Sequence, residues 1–178
     1  MEYSASLHRP LHIYADDMWY FITASTVNHA HYLKTTAHLT LWRDIFLSTS
    51  EKLGIKICAW VVLENHYHIL AQPAHGNAIG MFIGQLHGKV SYQLNAMDEM
   101  RGRQVWYSYW DTFVRDEDDF WAKFNYIHYN PVKHVYVNVP EEWVFSSYRF
   151  HMQEQGEEWL AKCCRDYPAN DLQQNDRF

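Results

Sequence analysis

The chain has 178 residues, 48% hydrophobic and 20% charged, a globular balance that excludes wholesale disorder. At 21.3 kDa it can bury one sizeable core without disulfides, and no run approaches the roughly 18 apolar residues of a spanning helix. The net charge of −6 disfavours a nucleic-acid binder, but residues 1–137 carry 11 Lys and Arg against 13 Asp and Glu, whereas residues 138–178 carry 4 against 8. The near-neutral body therefore permits an anionic ligand.

Three cysteines, Cys58 and the neighbours Cys163 and Cys164, have no framework spacing and read as free thiols of a reducing compartment. Met1-Glu2-Tyr3-Ser4 shows neither a basic segment nor an apolar run, so no signal peptide is expected. Together these point to a cytoplasmic protein without membrane association.

Met18 to Thr26, aromatic and β-branched, reads as a first strand. From about Thr35 to Leu53, Leu39, Trp42, Phe46 and Leu53 recur with a helical period, Ile45 lies on the flank, and Gly54 is the stop. Ile55–Leu63 and His66–Gln72 form a hairpin around Glu64-Asn65. Asn77 introduces a long amphipathic helix through Ile79, Phe82, Ile83, Leu86, Val90 and Leu94. Val105 to Val114 reads as extended. Asp116 to Asp119 puts acids in the first turn of a last helix, with Phe120, Phe124 and Ile127 inward and a stop at Pro131. After Tyr148 the pattern dissolves, and residues 165–178 read as a loose tail. There is no repeat and no linker. The expectation is one α+β domain over residues 1–150, a sheet covered by helices, followed by an acidic tail over 151–178.

Chemistry concentrates in two places. In His66-Tyr67-His68, alternation along a strand points both imidazoles to one face, where a pair can hold one divalent ion. A His-rich protein also yields such a triplet as ordinary hydrogen-bonded histidines. In Asn125-Tyr126-Ile127-His128-Tyr129-Asn130-Pro131, Tyr126 lies about a third of a turn off the buried stripe, with Asn130 above it at i+4. This pair can address a site on the neighbouring sheet, or be a packed tyrosine and a helix-terminating amide.

In this order, the two elements resemble the single-tyrosine HUH endonucleases, within them the insertion-sequence-200-like transposases, and most of all the REP-associated tyrosine transposases. The resemblance runs from about Trp19 to Tyr148. Supporting it are Trp60 to Leu70, Trp106 before an aromatic segment, Arg115-Asp116, Tyr126 to His134, and Trp143-Val144-Phe145-Ser146-Ser147-Tyr148. Val135 stands where relatives usually carry glycine, and Thr112 where a histidine is common. The resemblance implies a ferredoxin-like sandwich with a central antiparallel sheet. It makes His66, His68 and Asn130 ligands of Mg²⁺ or Mn²⁺, and Tyr126 the nucleophile.

The implied activity is nicking and strand transfer of single-stranded DNA beside hairpins, through a 5′-phosphotyrosine and a free 3′-hydroxyl. A phenol of pKa about 10 needs a polarised phosphate or a base to attack at neutral pH. His128 projects from another side of its helix and receives no role. Arg101, Arg103, Arg115, Lys123 and Lys133, with Lys89, are candidate phosphate contacts, and exposed aromatics could stack on unpaired bases. Relatives imply a monomer or a homodimer, and Glu154, Glu157 and Glu158 could repel DNA. Two other readings stand beside this one: a hairpin-DNA binder that no longer cuts, and a metal hydrolase using a bound water.

Overall fold

Residues 15–169 are described by the structure, a computed structural model; residues 1–14, which include the Met1–Ser4 stretch, and residues 170–178 lie outside them. The chain forms β1 (Tyr20–Thr26), α1 (Thr36–Lys52), β2 (Lys56–Val62), β3 (His66–Gln72), α2 (Ala78–Met97), β4 (Trp106–Phe113), α3 (Glu117–Lys133), α4 (Tyr148–Gln155) and α5 (Glu157–Asp166). Local chemistry sets several ends. The Thr35 hydroxyl accepts from His38 N at the start of α1, and Gly54, at φ 64°, lets the chain leave that helix. Asp116 caps α3 by accepting from Asp119 N, with three acids in its first turn.

The strands form one antiparallel sheet in the order β2-β3-β1-β4, the ferredoxin-like arrangement expected. Strand alternation divides its side chains between two cores. Tyr20, Ile22, Trp60, Val62, Tyr67 and Ile69 pack with Trp42 and Phe46 of α1 and Phe82 and Leu86 of α2. Phe21, Ala59, Val61 and Leu70 pack on the other face with Phe124, Tyr126 and Ile127 of α3 and Leu160 of α5. His66 and His68, one step from Tyr67, belong to this second face.

Two sequence expectations change. α3 does not stop at Pro131 but continues to Lys133, because a proline in the last turn forfeits only one helix bond and its carbonyl accepts from Tyr136 N at 2.9 Å. The region after Tyr148 is two helices as far as residue 166. Leu160 and Cys163 are buried, Trp159 meets Trp121 with ring centroids 5.5 Å apart, and the buried Asn125 amide donates to the carbonyls of Cys163 and Tyr167. The partner that makes this charged segment fold is α3. Among the described residues, no helix is long and apolar enough to cross a membrane.

Candidate active site

His66 and His68 meet with ring centroids 5.2 Å apart, and each is held from behind. His68 Nδ1 lies 2.7 Å from the Thr23 hydroxyl, its register partner on β1, while His66 Nδ1 lies 2.7 Å from Oδ1 of Asn65 in the hairpin turn. Asn65 Oδ1 can only accept and so calls for the proton on His66 Nδ1, and the Thr23 hydroxyl can play the same part at His68, which leaves Nε2 of each ring as the potential donor atom to an ion.

α3 supplies the other half. Its apolar stripe seats the helix on the sheet, and Tyr126 packs edge-on to His68 at 5.2 Å and to Phe21 at 6.0 Å. Asn130, one turn on, places Oδ1 3.0 Å from His66 Nε2. A neutral imidazole has one N–H, so it cannot donate to both Asn65 Oδ1 and Asn130 Oδ1. Asn130 is fully buried and its Nδ2 has no hydrogen-bond partner. A cation between Nε2 and Oδ1, or a turned amide, relieves this mismatch. The 3.0 Å span also suits two adjacent ligands on a six-coordinate ion with bonds of about 2.1 Å. Among the described residues, no cluster of three His, Cys, Asp or Glu side chains could hold an ion, so the candidate donors they offer here are two imidazoles and an amide oxygen.

Beside His66 a cavity of about 420 Å³ opens, lined by Thr23, Ser25, Glu64, Asn65, His134 and Tyr136, among others. His134 packs on His66 at 4.8 Å, and Val135, also on the wall, has φ 61°. Burial, with the Glu64 carboxylate, pushes the Tyr136 phenol up, so it stays neutral at physiological pH.

The basic residues separate sharply. Lys123 is buried and paired with Asp119, so it does not face solvent as a phosphate contact must; this corrects the sequence expectation. Burial alone would raise the Asp119 carboxyl, but Lys123 and Arg115 outweigh it and hold it below the usual carboxylate range. Arg103 clamps the turn between α2 and β4 through Asn95 and Asp98 and lies over Tyr32. Lys89 donates to Thr49 Oγ1. Arg101 is exposed, and Arg115 is exposed although it meets Asp119 at 3.3 Å. Lys133 is exposed, yet its Nζ lies 3.3 Å from the Tyr126 hydroxyl. His128 is buried against Ser147 Oγ at 2.8 Å, on the α4 side of α3. Sequence reasoning missed Thr23, Asn65 and the Lys133–Tyr126 contact. Only the hairpin position of Asn65 was a usable signal.

A histidine pair facing a helical tyrosine and asparagine is accompanied by a family match: residues 14–130 fit the family described as transposase IS200 like. The chain belongs to the IS200-like transposase family. Its relatives within the family include a Haemophilus influenzae protein named "Putative REP-associated tyrosine transposase", 28% identical over 123 residues, covering 64% of this chain and 70% of that one. The Escherichia coli K12 REP-associated tyrosine transposase is 26% identical over 131 residues, covering 73% and 75%. A solved structure of a REP-associated tyrosine transposase bound to a REP hairpin has the same fold. Its TM-score is 0.67 at 22% identity, covering 83% of this transposase-family chain and 86% of the other.

Proposed function

We propose that this IS200-like transposase is a metal-dependent single-stranded DNA nickase and strand transferase that acts beside hairpins through a phosphotyrosine on Tyr126. The observation that carries the reading is the convergence of Tyr126 and Asn130 from α3 on His68 and His66 from β3. The family membership and the named relatives support it, as does the hairpin held by the solved relative.

His66 Nε2, His68 Nε2 and Asn130 Oδ1 would hold Mg²⁺ or Mn²⁺, with Asn65 and Thr23 orienting the two rings. Nitrogen donors tilt the choice toward Mn²⁺. The ion, when bound, would neutralise charge on the scissile phosphate. Phe21 and His68 wall the phenol, fixing its attack direction. The cavity beside His66 offers the unpaired strand a seat next to the histidine pair, and Arg101 and Arg115 are exposed elsewhere on the surface for more distant backbone. Tyr126 is only 3% exposed, which favours one rival, a hairpin binder that no longer cuts.

A denaturing gel of end-labelled single-stranded hairpin DNA, incubated with Mn²⁺ and either wild type or Tyr126→Phe, separates the readings. The expected result is a slow, protease-sensitive adduct in wild type alone. Cutting without an adduct would identify a hydrolase, and a native-gel shift without cutting a binder.

A further inference from the structure

We propose that Lys133 is a catalytic residue of strand cleavage, its ammonium engaging first the Tyr126 hydroxyl and then the phosphate that hydroxyl attacks. The proposal rests on the Tyr126 reading above and adds a group that acts on the reacting atoms. Lys133 closes the last turn of α3, and its stem reaches back almost two turns. Nζ lies 3.3 Å from the phenol oxygen and 4.9 Å from the ring centroid, so oxygen and ring face both orient the same cation. The phenol is buried between Phe21 and His68, whereas Lys133 is exposed. The lysine thus spans the boundary that an incoming phosphodiester must cross.

In the step itself the Tyr126 Oη–P bond forms and the P–O3′ bond breaks. The phenol proton ends on the departing 3′-oxygen, and the diester keeps its single charge. Charge shifts among the phosphoryl oxygens as the entering oxygen closes in, and a cation already at that oxygen needs only rotation of its terminal torsions to meet them. Lys123, closer to Tyr126 in sequence than Lys133 is, cannot do this because it is buried on Asp119. Arg101 and Arg115 do not touch the phenol, so their removal should weaken binding and not the bond-making step.

The test is single-turnover adduct formation against hairpin DNA concentration with Mn²⁺, for full-length wild type, Lys133→Met, Lys133→Arg and Tyr126→Phe. Lys133→Met keeps the stem and should lower the plateau rate by about 10- to 100-fold, with half-saturation changed by less than about 3-fold. Lys133→Arg keeps the charge and should recover most of the rate. A loss confined to half-saturation would make Lys133 an ordinary phosphate contact, and an unchanged plateau would remove it from the reaction. Either result overturns the Lys133 role while wild type still forms its adduct. No adduct from wild type overturns the Tyr126 reading and the Lys133 role together.

Discussion

Thr23 and His68 face each other across β1 and β3, with the threonine hydroxyl 2.7 Å from the imidazole Nδ1. Both side chains are buried. A hydroxyl there can accept a hydrogen bond from Nδ1–H and so hold the ring in the tautomer that presents an unprotonated Nε2 beneath Tyr126. Thr23 thereby supports the candidate site through His68.

Replacing that hydroxyl alone is informative. Thr23→Val should raise the Mn²⁺ concentration needed for half-maximal adduct formation by about 10- to 100-fold. It should also lower stability by about 1–3 kcal/mol, because the buried Nδ1 proton loses its acceptor. A Mn²⁺ titration with a urea melt checks both, and an unchanged Mn²⁺ midpoint would rule out the orienting role.

Val135 offers a prediction of opposite sign. It has φ 61° and is 87% exposed, so a β-branched residue sits in left-handed backbone with little packing in return. Relief of that conformation, about 1–2 kcal/mol, exceeds the extra entropy of an unfolded glycine. Val135→Gly should therefore stabilise the protein by about 1 kcal/mol. The urea midpoint should rise at constant m-value; a fall would mean the valine makes contacts that outweigh its backbone strain.

His87 supplies a pH dependence away from the site. Its Nε2 meets the Tyr67 hydroxyl at 2.8 Å, its ring stacks on Trp106 at 4.6 Å, and burial pushes its pKa down to about 3. The unfolded chain takes up this proton near pH 6.5, whereas the folded ring stays neutral until about pH 3. Stability therefore falls as pH drops through that window, by at most about 1.4 kcal/mol per unit, less in proportion to the ring's remaining solvent contact. His87→Gln keeps a partner for Tyr67 and removes the titration, so the loss of melting temperature between about pH 6 and about pH 4 should shrink. An equal loss in both proteins would place the acid sensitivity elsewhere.

Much of the site was legible in the chain because it rests on two local periods. A strand repeats its direction every second residue, so His66 and His68 share a face whatever surrounds them, and a helix stacks i on i+4, so Asn130 follows Tyr126. The hairpin at Glu64-Asn65 and the order of strands and helices were equally local, and the family resemblance followed from those pieces. Their meeting was not local. Both sheet faces are apolar, and only the fit of the Phe124–Ile127 stripe onto Phe21, Val61 and Leu70 decides that α3 covers the histidine face. That choice sets Tyr126 on His68 and Asn130 on His66. It buries Lys123 while leaving Lys133 at the phenol, two lysines that look alike in sequence. Thr23 meets His68 through a cross-strand register 45 residues apart, and α5 folds because α3 offers Asn125 and Trp121 to it. Periodicity fixed which way each side chain points; packing between elements fixed what it points at.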